Sequence, residues 1–311
     1  MGRTARWRWW WSRWRKVFGP SLLILVALSL TLSQLQAPPG GARERSDRTR
    51  RQVRRVCKSL NVSTKVTQDH LRNILVDDAR GILYCSAHKV ASSSWKRSWL
   101  QLTSSTFNAS RLATISRHTT HLLTQQFMLV QPRFEDVWPD MLASYRKFLF
   151  VREPLHRVVS AYRDKLEHPT DMEDLEISPY IKKLISEKFG TLPTQVEEGV
   201  SFSDFVKLIN HQKEEESIPW DSHWRPIHQM CNPCGIDYDF IGKVESLHED
   251  STYVLKWLGV EKIVEKFPVH SRSTEADRLA IHYLQGLDYS LRKEFLDHYL
   301  LDYLSFEYDL V

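Results

Sequence analysis

Cysteine is scarce in this chain, and its distribution argues against a zinc finger. The 311 residues contain four cysteines: Cys57, Cys85, Cys231 and Cys234. Two residues separate Cys231 from Cys234, as in half of a zinc site, but no second pair of ligands follows at finger spacing. Disulfides or buried thiols are therefore favoured over a metal site. Four cysteines allow three pairings, and the sequence does not choose between them.

Acidic residues are missing from residues 1–16, and all charge is missing from residues 17–36. Five tryptophans are interleaved with six basic residues in the first stretch, and the second is largely apolar. About 20 apolar residues cross a bilayer as a helix, and tryptophan favours the membrane interface. We therefore predict a cytosolic tail at 1–16 and a transmembrane signal anchor at 17–36. The alternative is a cleaved signal peptide, because Leu22–Leu30 has the length of its apolar region.

The basic residues next to the apolar run lie on its N-terminal side, and the next ones begin only at Arg43. The positive-inside rule then places the remainder of the chain in a lumen, as in a single-pass type II membrane protein. Two sequons predict N-glycosylation at Asn61 and Asn108. The four cysteines also follow the run, where disulfides can form.

Net positive charge is missing from most of the chain. The formal charge is +5, but residues 1–16 carry +6 and residues 43–58 another +6, which leaves −7 for residues 59–311. A folded domain of this charge is not expected to bind nucleic acid. Residues 37–65 start with Pro-Pro-Gly-Gly after Ala37 and continue as a charge run without helical or strand periodicity. We predict a flexible stem there and a lumenal domain at 66–311.

Two short apolar runs, each followed by a helical pattern, indicate the fold of this domain. Gly81–Ala87 leads into a segment in which Trp95 and Trp99 recur at helical spacing. Phe148–Val151 leads through Pro154 into a second amphipathic segment. Buried strands that each feed a helix are typical of an α/β domain with a central parallel β-sheet flanked by helices. Ligands of such sheets bind at the carboxyl ends of the strands.

The turn after the first of these strands has no glycine, which argues against the glycine-rich loop of a P-loop kinase. It holds Lys89, and Ser92, Ser93 and Ser94 follow at the start of the helix. A helix N-terminus attracts anions through its N–H groups and dipole, so the lysine and hydroxyls predict an anion site. Serines at this position are also common as plain helix caps.

The end of the second strand supplies further candidates for anion binding. Arg152 ends the strand, and Ser160 lies eight residues on, in the following helix. A charge-assisted hydrogen bond from the arginine and a hydroxyl could hold one further phosphate.

Taken together, His88–Arg97 and Phe148–Leu166 resemble the two cofactor motifs of sulfotransferases that use 3′-phosphoadenosine 5′-phosphosulfate (PAPS). The chain is most similar to Golgi carbohydrate sulfotransferases of the chondroitin and dermatan 4-O-sulfotransferase group. The resemblance extends to Leu75–Cys85, to His223–Leu255 and to the C-terminal end. His88 departs from the pattern, where proline usually precedes the lysine. Ser92 and Ser94 also differ, since cysteine and asparagine are expected there.

This resemblance implies a P-loop-like sulfotransferase fold in a Golgi membrane protein. It implies transfer of sulfate from PAPS to a glycan hydroxyl without a metal. The 4-position of N-acetylgalactosamine is the expected acceptor, in chondroitin, in dermatan or on a glycoprotein glycan. Lys89 would stabilise the leaving group in catalysis, and Arg152 and Ser160 would bind the 3′-phosphate. The residues implied for the 5′-phosphosulfate are Lys89, Val90, Ala91, Ser92, Ser93, Ser94 and Trp95.

A sugar hydroxyl needs a general base within reach of its proton, and histidine suits this role near neutral pH. In sulfotransferases the base commonly lies between the two cofactor motifs, which indicates His118 in the stretch Ser-Arg-His-Thr-Thr-His, with His121 following. The second candidate is His223, in a block that the resemblance covers.

The function and the acceptor each leave an alternative open. A catalytically inactive relative could bind glycan or PAP as a lectin or as a partner in Golgi complexes. Intact Lys89, Arg152 and Ser160 argue for the enzyme. A domain charge of −7 would repel a heavily sulfated polymer unless a basic groove or the stem offsets it. A short neutral glycan is therefore a possible acceptor in addition to chondroitin and dermatan.

Overall fold

The central sheet of this protein is mixed rather than parallel. A computed structural model describes residues 41–104, 106–167, 172–189, 200–212, 221–264, 267–268 and 273–310. The sheet has the order β1-β2-β3-β4, and its strands are β1 (Ile74–Asp77), β2 (Ile82–Cys85), β3 (Arg146–Val151) and β4 (Phe240–Lys243). β2, β3 and β4 are parallel, as predicted, whereas β1 is antiparallel to β2. The prediction of a parallel sheet is wrong at this edge because a turn of a few residues can join only antiparallel neighbours.

The predicted tail and membrane anchor, residues 1–36, lie outside the described residues. Among the helices that the structure describes, none combines the length and the apolar composition needed to cross a membrane. The anchor therefore stays a prediction.

The first helix, α1 (Ala42–Ser59), occupies most of the predicted stem and belongs to the same compact unit as the rest of the folded chain, Gly41–Val311. One face of it is buried, and that face consists of Ala42, Ser46, Thr49, Val53 and Val56. Ser46 Oγ accepts a hydrogen bond of 2.8 Å from the amide of Ile241 in β4. The prediction of a flexible stem without helical periodicity is wrong here because small polar residues share this face with the apolar ones.

Most connections in the chain are helical. The remaining helices are α2 (Gln68–Leu71), α3 (Ser92–Thr103), α4 (Ala109–Thr114), α5 (Arg117–Thr124), α6 (Trp138–Ser144), α7 (Pro154–Tyr162), α8 (Met172–Phe189), α9 (Phe202–Gln212), α10 (Ile227–Cys231), α11 (Leu247–Leu258), α12 (Ser273–Gln285) and α13 (Tyr289–Ser305). α7 continues as a π-helical turn, Arg163–Glu167. α13 begins after Asp288, whose side chain accepts a hydrogen bond from the amide of Leu291 and so caps the helix.

Two hydrophobic clusters anchor the elements that leave the sheet. The first contains the strands together with Trp95 and Trp99 of α3. The second contains Leu155 and Val158 of α7, with Phe205, Trp224 and Phe295 among its other members. The helices that follow β2 and β3 are thus fixed in different cores, and the turns that precede them meet at one edge of the sheet.

Two disulfides confirm the expectation that the cysteines are structural and show which pairing is formed. Cys57 in α1 is bonded to Cys234, and Cys85 at the end of β2 is bonded to Cys231 at the end of α10. The second bond fixes the start of the predicted anion-binding turn against the segment that follows His223.

The two predicted glycosylation sites, Asn61 and Asn108, are exposed. Asn108 caps α4 through its side-chain oxygen, which accepts the amide of Arg111 at 2.9 Å. This contact uses the side-chain oxygen and not the nitrogen, which is the atom that carries a glycan. Glycosylation itself stays a prediction.

Candidate active site

The turn between β2 and α3 has a backbone conformation that residues other than glycine rarely adopt. Lys89 has φ +65° and Ala91 has φ +63°. For such residues the left-handed region costs about 1–2 kcal/mol each, and this kind of strain clusters at functional sites. Ala91 is the N-cap of α3, and no side chain in the described part of the chain caps the helix. The first N–H groups of α3 are thereby left for an anion.

The structure places the predicted phosphosulfate residues in this turn, with different roles open to them. Val90 and Trp95 are buried in the core, so only their backbone can face a ligand. Ser92 and Ser94 are also largely buried, with 5% and 3% of their surface exposed. Ser93 Oγ lies 3.4 Å from Nε2 of His121.

Lys89 forms an ion pair that the sequence did not predict. Its Nζ lies 2.8 Å from Oδ2 of Asp164, and Nη1 of Arg117 lies 2.8 Å from the other oxygen of the same carboxylate. Burial lowers the pKa of Lys89 to about 8, although the carboxylate acts in the opposite direction. Burial alone would raise the pKa of Asp164, but the charges and hydrogen bonds of Lys89 and Arg117 hold it well below its ordinary value. At neutral pH both partners are therefore charged.

Asp164 lies in the π-helical turn that extends α7. Such turns widen a helix by one residue and are frequent at functional sites. The same turn carries Lys165, a lysine that is 4% exposed and whose charge lowers the pKa of His121 and of His223. The π turn thus brings an acidic and a basic residue to the carboxyl edge of the sheet.

Three histidine rings lie next to each other beside the turn. The ring centroids of His88 and His223 are 4.4 Å apart, and those of His88 and His121 are 5.7 Å apart. Burial lowers the pKa of each of the three below its ordinary value. All three are therefore neutral near pH 7, and each ring carries one proton and one lone pair.

The hydrogen bonds of His121 and His223 assign these protons. Nζ of Lys96 lies 3.1 Å from Nδ1 of His121, and because an ammonium group only donates, Nδ1 is the acceptor and the ring proton is on Nε2. Nδ1 of His223 lies 2.6 Å from Oδ1 of Asp221. That carboxylate only accepts, so the proton of His223 is on Nδ1 and its Nε2 carries the lone pair.

Asp221 stays ionised in this pair. Burial would raise its pKa, but the hydrogen bonds that it accepts from the side chain and the backbone of His223 hold it below the ordinary value. The histidine is 7% exposed and its carboxylate partner fixes the ring orientation. An ionised carboxylate behind a neutral imidazole suits general-base catalysis, because it orients the ring and stabilises the imidazolium that forms.

The structure places the other predicted base, His118, differently. It is the second residue of α5 and is exposed, whereas His121 lies three positions on and faces the turn. The assignment of the base to His118 stays a prediction, and the proton positions favour His223.

Arg152 and Ser160 lie where the sequence places them, at the end of β3 and inside α7. β2 and β3 are parallel neighbours with Cys85 opposite Leu149, so Arg152, the residue after β3, follows its strand at the same edge of the sheet as the turn after β2. Arg152 is 7% exposed and Ser160 is half-buried. The backbone after Arg152 is fixed by Glu153, whose amide donates to Glu245 at 2.9 Å and whose side chain accepts from Tyr303 at 2.7 Å.

Arg157 connects the turn to the segment that carries His223. It is 1% exposed and donates to three carbonyl oxygens, those of His88 at 3.0 Å, Ser222 at 3.2 Å and Trp224 at 3.5 Å. A buried guanidinium needs such partners, because an unpaired charge inside a protein is costly. Arg157 therefore holds the two parts of the site against each other.

Sequence reasoning missed Asp164, Arg157 and Asp221, and it named His121 only as the residue that follows His118. Local signals existed for two of them. Asp221 stands two residues before His223, and His121 lies at helical spacing from His118. Asp164 and Arg157 have no such signal, because their partners are 75 and 69 residues away in the chain.

Similarity to known proteins is evidence of a second kind, independent of this geometry. The model of the sulfotransferase family matches residues 72–309. The chain belongs to the sulfotransferase family.

Several curated relatives are similar over most of this sulfotransferase. Carbohydrate sulfotransferase 11 of Rattus norvegicus is 30% identical over 270 residues, which cover 84% of this chain and 75% of the relative. Carbohydrate sulfotransferase 9 of Homo sapiens is 34% identical over 260 residues, or 78% of this chain and 55% of the relative. Carbohydrate sulfotransferase 8 of Homo sapiens is 31% identical over 278 residues, which cover 85% of this chain and 63% of the relative. No solved structure matches the sulfotransferase significantly.

Proposed function

We propose that this sulfotransferase moves a sulfuryl group from PAPS to a hydroxyl of a glycan, at the 4-position of N-acetylgalactosamine in chondroitin, dermatan or a glycoprotein glycan. One juxtaposition carries the proposal. The turn with Lys89 and the uncapped start of α3 lies against the Asp221–His223 pair, through the contact of His88 with His223. An anion site and a neutral base thus lie side by side. The names of the relatives support a carbohydrate acceptor.

The residues present suit a donor with two anionic ends. Lys89, the serine hydroxyls and the N–H groups of α3 would bind the 5′-phosphosulfate. Arg152 and Ser160, one strand further along, would bind the 3′-phosphate. The two sets of residues follow adjacent parallel strands, β2 and β3, which supports their binding one donor. Within the described residues there is also no group of three or more histidine, cysteine, aspartate or glutamate side chains that could hold a metal.

PAPS supplies a sulfuryl group whose bond to the phosphate oxygen breaks as the bond to the acceptor oxygen forms. Nε2 of His223 takes the proton from the acceptor hydroxyl, and Asp221 stabilises the imidazolium that results. Nζ of Lys89 donates to the oxygen that leaves with the phosphate, where negative charge develops. His121 is not suited to the base role, because its lone pair is directed at Lys96.

The enzyme is further proposed to act in the Golgi lumen, held by the type II anchor at 17–36. The two disulfides and the exposure of Asn61 and Asn108 support a lumenal location. Loss of mass on glycosidase treatment of the expressed full-length protein, absent when both asparagines are replaced by glutamine, is the expected result. A chain that carries no glycan in the wild type would contradict the lumenal assignment.

An acceptor panel tests the activity. The full-length protein is incubated with radiolabelled PAPS and with desulfated chondroitin, dermatan or a glycan that ends in N-acetylgalactosamine. We expect label on at least one acceptor, and structural analysis of the product should place it on the 4-hydroxyl. Label at another hydroxyl would contradict the position. Absence of label on all three would contradict the proposed acceptor class.

A further inference from the structure

The outer face of α1 carries three basic side chains in a row. Arg51, Arg55 and Lys58 are exposed and follow one another at spacings of four and three residues, which places them on one side of a helix. This side is opposite the buried face of Val53 and Val56. We call these three residues the basic ridge.

The other arginines of α1 have acidic partners. Arg45 binds Asp250 at 2.6 Å, and Arg54 binds Asp237 at 2.8 Å. Further pairs are Arg43 with Asp47, Arg48 with Glu307 and Arg50 with Asp47. In the basic ridge, by contrast, the hydrogen bond found among the described residues is that of Arg55 with the neutral Gln52, at 2.9 Å.

This arrangement works against the stability of the helix. Like charges at helical spacing repel each other, and no acidic side chain of the described chain forms an ion pair with the ridge. The helix dipole explains a cation in the last turn, where Lys58 stands, but its effect fades before Arg51. The ridge is also held rigidly, because Cys57 next to Lys58 is bonded to Cys234.

We propose that the basic ridge binds an acidic glycan polymer whose sugars carry carboxylates, outside the catalytic site. The inference rests on the proposed function and narrows its acceptor class. The folded unit 41–311 has a formal charge of −1, because the +6 of residues 43–58 offsets the −7 of residues 59–311. Attraction of such a polymer therefore depends on a local row of cations rather than on net charge, and the basic ridge supplies that row. Carboxylates on the polymer would also relieve the repulsion within the ridge.

An anionic membrane surface fits the ridge less well. Membrane binding through charge takes clusters of about four to eight basic residues, and the ridge has three. Amphipathic helices on membranes also insert apolar residues, but the apolar residues of α1 are on its buried face. A lipid surface is therefore kept as an outcome of the test.

The experiment uses full-length protein in which Arg51, Arg55 and Lys58 are all replaced by alanine. Sulfate transfer is measured on desulfated chondroitin and on a short neutral glycan ending in N-acetylgalactosamine. A matched control replaces Arg72, Lys262 and Arg278, three exposed cations elsewhere, and so removes the same charge. We expect the ridge variant to raise KM for the polymer about tenfold at low salt and to leave kcat unchanged. KM for the short neutral glycan should not change. At about 1 M salt the difference should disappear.

Three results would overturn the proposal. The first is an unchanged KM for the polymer in the ridge variant, and the second is an equal rise of that KM in the control variant. The third is binding to vesicles of phosphatidylserine and phosphatidylcholine that depends on the ridge, without any effect of the ridge on KM for the polymer. Failure of the proposed function is a separate result, since the wild type would then transfer no label to either acceptor.

Discussion

At the scale of single residues, the site is held by pairings of a basic with an acidic side chain. Lys89 is paired with Asp164, and His223 with Asp221. The first pair keeps a cation at the anion-binding turn, and the second keeps a lone pair on the imidazole nitrogen that faces away from the carboxylate. Each pair makes the protonation state, and hence the activity, depend on pH in a definite direction.

The pair of Lys89 predicts the alkaline side of the pH profile. Its pKa is about 8, so the charged form needed at the turn is lost as the pH rises through that value. We expect kcat/KM for the donor to fall there, because this parameter reports the free enzyme. Asp164→Asn removes the anion that raises the pKa and should move the fall to lower pH. Asp204→Asn removes the partner of Lys207 elsewhere and should leave it in place. An unmoved profile in Asp164→Asn would show that Lys89 does not set this limb.

The pair of His223 predicts the acidic side. We expect His223→Ala to lower kcat by about 10²- to 10⁴-fold, and His118→Ala to have little effect because that side chain is exposed. Asp221 raises the pKa of His223 against the effect of burial, so Asp221→Asn should move the acidic limb to lower pH. Initial rates of the four proteins across pH check this. The reverse order of the two histidine variants would assign the base to His118.

The sequence predicts the parts of the site that are contiguous in the chain. Lys89 and the serines stand between β2 and the first turn of α3, and Arg152 directly follows the neighbouring strand, so a strand and helix pattern suffices to place them after adjacent parallel strands. Asp164 could not be predicted in this way. Its contact with Lys89 depends on the π turn after α7, which adds a residue that helical periodicity does not reveal.

At the scale of elements, strands were predicted more easily than α1. The apolar runs of β2 and β3 are buried along nearly their whole length, which makes their pattern plain. α1 is buried along a face that includes Ser46 and Thr49, and it is held by partners such as Asp250 that lie some 200 residues away. No local pattern in residues 42–59 contains those partners.

The attachment of α1 predicts a contrast between two aspartates. Asp250 has a side chain that is 3% exposed, and it accepts from Arg45, from the amide of Lys243 and from Ser246. Asp250→Ala should lower the free energy of unfolding by about 3 kcal/mol, because it leaves these partners unpaired in a buried place. Asp237→Ala, at a side chain that is 67% exposed, should cost less than about 1 kcal/mol. Denaturant unfolding of both variants measures the difference, and equal losses would contradict this account of the attachment.

At the scale of the whole molecule, the folded unit begins at Gly41 rather than at residue 66. The disulfide from Cys57 and the burial of Val53 and Val56 make α1 a part of the domain. Most of the predicted stem, residues 41–65 of 37–65, is therefore part of the folded unit. Because α1 is part of this unit, the basic ridge has a fixed position on the enzyme and is not part of a flexible linker.

In the proposed reaction, Lys89 and its turn bind the donor PAPS and stabilise the leaving phosphate oxygen while sulfate passes directly to a glycan hydroxyl. The most direct measurement is transfer of radiolabelled sulfate to the best acceptor by the full-length wild type and by Lys89→Ala, with binding of PAP measured on both. The account predicts that the wild type transfers label, and that Lys89→Ala loses about 10²-fold or more of the rate while PAP still binds through Arg152 and Ser160. Undiminished transfer by Lys89→Ala would contradict the account.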